Sequence, residues 1–441
     1  MDEDKEQFSI GENSPISERN DSNRKFVKFS FLIFGIAGLL ALNTILSDIG
    51  FFIYFIPSLD PLFIFPFFNF ALNIIFQFIL LFKKKLFTYK TQLLFSVTLS
   101  GILLIILPLS VISLNKDSLT NRIIASIMIL IQGLLNAICQ SSFFGLVSFF
   151  PIDIIVNMST GQGIAGLLMN IIQYIVIFTF GDIDKTKKES ENDIIVKKSG
   201  IIFFSISVFI IVVSLVFIIL IYRNNYFKNK LILSGEYSFD NDINNIEKLI
   251  NNSEHSDESL SSISSNKEVS FLDLTKILLD LNILTVILYI ITFSVFPGVC
   301  LEFNLFNLQG NLKNNTIITI YNIFDTIGRL LVAFFNPTKK KIYILTLSRI
   351  ILLIIMPFNF YYQYNSNSLK TNLIFILCVI FCAITNGLVT SLLFGIAPTL
   401  VPINIKGRAG SSISFYLILG IFLGTLSGIG MGKIIDSLKK K

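Results

Sequence analysis

Histidine is all but missing from this sequence. His255 stands alone in a polar stretch, so no site built on paired histidines can form. Cysteine is scarce as well. Cys139, Cys300, Cys378 and Cys382 fall in or beside apolar runs, without the paired spacing that holds a metal. Cys378 and Cys382 share a helix face and read as small packing residues. Tryptophan is absent from a chain rich in Asn, Ile, Lys and Phe, a compositional bias with no chemistry attached. The most informative shortage is charge. Only 15% of the 441 residues are charged, 53% are hydrophobic, and mean hydropathy is +0.73. A soluble protein carries roughly 25% charged residues. The apolar residues come in long blocks with charged punctuation, so the chain reads as an all-α polytopic membrane protein in a lipid bilayer. The net charge of +6 is spread over loops and tails and does not point to nucleic acid. No His–Glu zinc motif and no nucleophile–base pair is present, so an enzyme is not expected, nor any metal or cofactor.

The blocks divide the chain. Residues 1–26 read as a disordered cytoplasmic tail, acidic and then basic, without the apolar core of a signal peptide. Spans are predicted near 27–50, 61–82, 91–114, 122–150, 153–180 and 199–222, forming a six-helix half over 27–222. A polar insert over 223–274, rich in Asn, Ser, Glu and Lys, reads as a disordered cytoplasmic loop. Five more spans, near 275–298, 314–336, 341–362, 371–397 and 411–435, make a second half over 275–437. Eleven spans split six plus five around a long insert suggest two packed half-bundles with a central cavity, although no internal repeat is visible.

Lysine and arginine placement sets the expected orientation. With the amino terminus in the cytoplasm, the inner loops hold Lys83–Lys85 and Lys90, Lys339–Lys341, and Lys406 with Arg408. The outer loops hold fewer cations, and residues 51–60 hold none. Five lysines in 183–198 and the terminal Lys439–Lys441 run against this assignment, but the other short loops agree.

Residues 316–335 organise the rest. This stretch, TIITIYNIFDTIGRLLVAFF, is long enough to cross a bilayer, yet it carries Asp325 and Arg329 near its middle. Each charge at membrane depth costs roughly 2.5–3.5 kcal/mol on insertion scales. The four-residue spacing places both on one helix face in the favourable acid-before-base order. Tyr321 and Asn322 extend the stripe, which must face protein or water. It reads either as a structural ion pair between helices or as a substrate path lined by Arg329 and steadied by Asp325.

A second polar stripe lies in residues 132–151. Gln132, Asn136 and Gln140 recur every four residues, so three amides share a face. Amides offer donors and an acceptor together, which suits neutral polar rings and hydroxyls. They also glue helices together. Gln132 is read as glue, while for Gln140 both readings stand. In residues 158–167, Gly161, Gly163 and Gly166 with Ala165 form a small-residue face for close helix approach. The lack of a preceding strand and the apolar span that follows argue against a phosphate-binding loop.

Residues 132–167, with Gln140, Phe144–Gly145, Pro151 and STGQGIAG at 159–166, resemble the fourth and fifth helices of the equilibrative nucleoside transporter family. The resemblance continues at Gly38–Asn43, at Phe296–Pro297, at Asn322–Arg329, at Thr385–Leu388, and at Arg408–Gly410 with Gly420 and Gly424. It covers nearly all of the membrane portion in order. It implies a major-facilitator-like fold moving nucleosides, with nucleobases as a further substrate class, by alternating access. Carried over by position, Gln140 would bond the base, and Arg329, oriented by Asp325, would hold the ribose hydroxyls. Asn322 and Phe296 would line the same cavity, with Leu39, Leu42 and Asn43 as its first-helix wall and Asn136 beside it. Gly161, Gly166, Pro297, Gly420 and Gly424 would serve packing and permeation geometry. The plasma membrane is the expected location, and protons are the candidate coupling ion.

The sequence also departs from that family. Leu42 stands where relatives often carry tryptophan, which removes an aromatic cover for the base. Gln92 and Lys406–Arg408 replace a charge pair that ties together cytoplasmic ends in relatives, so the inner mouth must close otherwise. An organic-cation carrier of the same fold would want a further cavity carboxylate, and only Asp48, Asp280 and Glu302, all near span ends, are on offer. A receptor or scaffold working through the insert would need neither polar stripe.

Overall fold

A computed structural model of the chain describes residues 15–82, 87–181, 189–234, 271–308, 310–334, 339–365 and 368–439. Eleven helices among them are long and apolar enough to cross a membrane. The bundle is all-helical. We label these helices α1 (Pro15–Ser47), α2 (Pro61–Phe82), α3 (Tyr89–Ser113), α4 (Leu119–Val147), α5 (Ile152–Phe180) and α6 (Glu189–Ile221). After the insert come α7 (Leu279–Val295, followed by a short turn at Gly298–Leu301), α8 (Gly310–Leu330) and α9. The last begins as Lys339–Ser348, tightens at Arg349–Ile351 and continues as Leu352–Asn365. The final two are α10 (Leu369–Ile396) and α11 (Lys406–Lys439).

Helix starts follow local chemistry. The side chains of Thr88, Ser118 and Ser368 accept from the backbone N–H three residues on, satisfying donors that a helix start leaves open. Ser368 and Thr371 form a reciprocal capping box. Pro151 precedes α5, and Asp153 in its first turn meets Arg24 at 3.1 Å and Lys28 at 3.6 Å from α1.

Two helices run past the expected spans. α1 begins at Pro15, inside the stretch read above as tail, and α6 begins at Glu189, ten residues before 199. Ion pairs four apart, Asp21 with Lys25 and Asp193 with Lys197, both at 2.7 Å, support the extensions in water. Most of the insert, 235–270, lies outside the described residues; a helix at Asn225–Leu233 and another at Phe271–Ile277 flank it.

Glycine sets the tightest crossings. A Cβ at Gly35 or Gly161 would overlap the backbone of α5 or α1, one at Gly133 that of α2, and one at Gly328 or Gly387 that of α10 or α8. Gly420 and Gly424 seat α11 on α7, where a Cβ would come 2.8 Å from Tyr289 and Phe293. Lipid tails compete well for apolar side chains, so helices associate through such close backbone approach. The halves meet along α5 with α8, along α2 with α11 (Phe67–Phe422, ring centroids 5.7 Å), and at one end through α4 with α10 and α11. This arrangement places the Asp325–Arg329 face of α8 directly against the glycine face of α5.

Candidate functional site

Gly163 and Gly166 make room for the α8 stripe. A Cβ at Gly163 would sit 2.7 Å from Thr326 Oγ1 and 3.1 Å from the Arg329 stem; one at Gly166 would sit 2.7 Å from the Asn322 amide. Gly161 turns the other way, onto α1. Into this space comes a buried ion pair: Arg329 and Asp325 are each 5% exposed, and Arg329 Nε donates to Asp325 Oδ2 at 2.8 Å. Both partners are further engaged. Arg329 Nη1 donates to the Ser159 carbonyl (2.8 Å), Ser159 Oγ (2.7 Å) and Gln162 Oε1 (3.4 Å), all on α5 in the other half. Ser159 Oγ also bonds Ser391 Oγ of α10 at 2.7 Å. The second carboxylate oxygen, Asp325 Oδ1, accepts from Asn386 Nδ2 of α10 at 2.8 Å.

Both carboxylate oxygens are therefore engaged, while one nitrogen of the guanidinium is not. Arg329 Nη2 has no partner among the described residues, and it keeps some exposed surface. Two N–H groups of a guanidinium held on three sides are left to meet something else. A planar fork in that state suits a vicinal diol or another pair of acceptors.

The amide stripe splits. Gln132 Nε2 donates to Ser100 Oγ and to Asn136 Oδ1, both at 3.1 Å, and Asn136 Nδ2 donates to Asn69 Oδ1 of α2 at 3.3 Å. Asn136, grouped above with the cavity residues, has both ends of its amide engaged, one by Gln132 on its own helix and one by α2. Gln140 is different. It is 3% exposed, and its amide makes no hydrogen bond among the described residues. Asn43 and Asn322, both half-buried, carry amides in the same condition.

The apolar residues also separate. Leu39 and Leu42 are half-buried against the larger core. Phe296, at the break before Pro297, stacks on Tyr321 with centroids 3.8 Å apart and rings 6° from parallel, inside the packing of the C-terminal half. Of the other carboxylates, Asp48 accepts from Gln173 at 3.1 Å and Asp280 faces Lys339 at 3.7 Å. The end of the bundle where α4 meets α5 is closed by aromatic and backbone contacts between the halves. Phe144 stacks on Phe394 at 3.8 Å, Ser411 Oγ donates to the Ser141 carbonyl at 2.9 Å, and Gly410 lies against Phe144 and Ser148. Gln92 is engaged within its own half, accepting from Ser142 at 2.6 Å.

Four participants escape a reading of the sequence. Ser159 and Gln162 sit inside the glycine motif, where small residues draw the eye. Asn386 lies in a quoted motif, yet nothing local tells that its amide meets Asp325. The fourth, Arg349, is the largest fully buried side chain among the described residues. Its signal is the same as that of Arg329, a single cation inside an apolar run.

Comparison with known proteins agrees with this architecture. The family model described as "Nucleoside transporter" matches residues 126–429. Equilibrative nucleotide transporter 1 of Arabidopsis thaliana is 22% identical, over 90% of this chain and 85% of that protein. Equilibrative nucleotide transporter 4 of the same plant is 23% identical, over 91% and 92%. Among solved structures, the major facilitator superfamily proton:xylose symporter XylE, bound to 6-bromo-6-deoxy-D-glucose, superposes with a TM-score of 0.61 at 12% identity. The match covers 94% of this chain and 90% of that one, and it shows the fold. With more than half of its length matched by the family model, the chain belongs to the nucleoside transporter family.

Proposed function

We propose that the protein carries nucleosides across the plasma membrane by alternating access between its two halves, residues 27–222 and 275–437, with the amino terminus in the cytoplasm. The observation that carries the reading of the site is Arg329. Its guanidinium is anchored to its own half through Asp325 and to the other half through Ser159, and Nη2 remains open. Arg329 Nη2 donates to the ribose hydroxyls. Gln140 bonds an edge of the base, which presents donors and acceptors as an amide does. Asn43 and Asn322 add neutral contacts, and Leu39 and Leu42 give an apolar wall on α1.

The same geometry ties binding to movement. The bonds from Nη1 to Ser159 cross between the halves, so rocking of one half against the other must break or re-make them. A substrate that gives the guanidinium new acceptors stabilises the intermediate arrangement. Asp325 stays bonded to Arg329 on the same helix throughout, so the cation is never left bare. The buried network holds Arg329 and Arg349 against one carboxylate, and both oxygens of Asp325 are occupied, which disfavours an organic cation as cargo.

Uptake of radiolabelled adenosine, uridine and hypoxanthine into transporter-null cells, with and without a protonophore, tests the reading. Saturable uptake of the two nucleosides supports it. Hypoxanthine alone would move the assignment to nucleobases, and loss of uptake with the protonophore would make protons a coupling ion. No uptake by a protein present at the surface would refute it.

A further inference from the structure

Arg349, in the tightened turn of α9, has no exposed surface. Its Nη1 donates to the Cys382 carbonyl at 2.9 Å and to Thr385 Oγ1 at 2.8 Å, both on α10. Its Nη2 donates to Thr292 Oγ1 on α7 and lies 3.4 Å from Cys382 Sγ. Nε has no acceptor. Every group Arg349 touches is neutral, which is a costly setting for a guanidinium.

The bonds do not end at Thr292. Thr292 Oγ1 lies 3.0 Å from Asn386 Oδ1, Asn386 Nδ2 donates to Asp325 Oδ1 at 2.8 Å, and Asp325 Oδ2 takes Arg329 Nε at 2.8 Å. The chain runs from α9 through α7 and α10 to α8. Because Arg349 can only donate, the Thr292 oxygen accepts from it, and the single Thr292 hydroxyl proton is shared between the Leu288 carbonyl one turn back (2.8 Å) and Asn386 Oδ1 (3.0 Å). That donor fixes the amide of Asn386 with its oxygen toward Thr292 and its nitrogen toward Asp325. Without it, the amide is held by the Asp325 carboxylate alone and can swing about that one bond.

We propose that Arg349 is a positioning residue for sugar recognition: through Thr292 and Asn386 it holds Asp325, and with it the orientation of Arg329, while never touching substrate. This rests on the reading of Arg329 as the group that meets the ribose. Thr292 and Asn386 are the links, and a variant that cuts either one leaves the bonds of Arg349 to α10 in place.

The test is Thr292→Val, which removes the hydroxyl at nearly constant volume, with Thr292→Ser as the conservative partner. Surface abundance is measured together with the apparent affinities for uridine and for 2′,3′-dideoxyuridine, which lacks the diol. The expected result is a Thr292→Val protein at the surface whose preference for uridine over the dideoxy analogue falls by about tenfold, as loss of one charge-assisted hydrogen bond would give. Thr292→Ser restores the preference. Combined with Arg329→Lys, Thr292→Val produces no further loss, because both act on one contact. A purely structural Arg349 gives instead a surface-expressed Thr292→Val with wild-type preference, and that result overturns the proposal. Should Thr292→Val be retained inside the cell, Asn386→Ser cuts the same chain, and an unchanged preference there overturns it equally. The two readings fail separately. If Arg329→Lys keeps the wild-type preference, the sugar role of Arg329 falls and this proposal with it; if Arg329→Lys narrows the preference and Thr292→Val does not, only the role of Arg349 falls.

Discussion

Replacing Arg329 by lysine asks how much of the site depends on a planar fork. The wild-type side chain faces three directions at once: Asp325 at 2.8 Å through Nε, Ser159 at 2.7 and 2.8 Å through Nη1, and an open side through Nη2. A lysine ammonium gathers its donors on one atom and keeps the charge. Placed to satisfy Asp325 and Ser159, it has no second nitrogen to offer a diol. The loss is one hydrogen bond between a charged donor and substrate, about 1.5–3 kcal/mol, or roughly ten- to hundredfold in apparent affinity for ribosides. Affinity for 2′,3′-dideoxy analogues should hardly change. Arg329→Ala should be only slightly worse for substrate but far worse for abundance, because it strands buried Asp325. Asp325→Asn should impair uptake by releasing the guanidinium. The assay is paired: surface biotinylation for abundance, and concentration-dependent uptake of ribosides and dideoxy analogues. If Arg329→Lys reaches the surface and still prefers ribosides as strongly as wild type, Arg329 does not read the sugar. If both single variants are lost from the membrane and the charge-swapped double variant returns, the pair is structural only.

Other consequences follow from the packing and from the expected topology. Gly387→Ala drives a Cβ into the Asp325 carbonyl across the α8–α10 crossing and should abolish uptake, at a cost of about 1–3 kcal/mol in stability; Gly430→Ala, with nothing within 4 Å, should be silent. Equal thermal stability of the two in detergent would contradict the crossing. Leu42→Trp should shift the relative affinities for purine and pyrimidine nucleosides without abolishing transport, and uniform affinities would take Leu42 out of the site. A tag near Ser256, in the insert outside the described residues, should be reached by antibody only after permeabilisation; labelling of intact cells would reverse the orientation.

The fold was largely legible because hydropathy reports what lipid demands, and all eleven spans stand where apolar runs placed them. What hydropathy missed were the helical extensions at Pro15 and Glu189, which leave the apolar phase and rest on ion pairs in water. The Asp325–Arg329 pair was legible for a local reason, since its geometry is a property of one helix. Gln132, Asn136 and Gln140 show where such reasoning stops. They are equivalent on α4, and only Asn69 of α2 and Ser100 of α3 decide that two of them are engaged and Gln140 is not. Arg349 is not legible in the sequence because its partners, Thr292, Cys382 and Thr385, come from other helices.

The central claim is that this chain by itself moves nucleosides, and counterflow tests it most directly. Purified protein is reconstituted in liposomes loaded with unlabelled uridine, without ion gradients, and labelled uridine is added outside. The account predicts transient accumulation of label above equilibrium, competed by excess adenosine, weakly by 2′,3′-dideoxyuridine, and absent with Arg329→Ala. Vesicles that retain folded protein yet accumulate no more label than protein-free liposomes would contradict it.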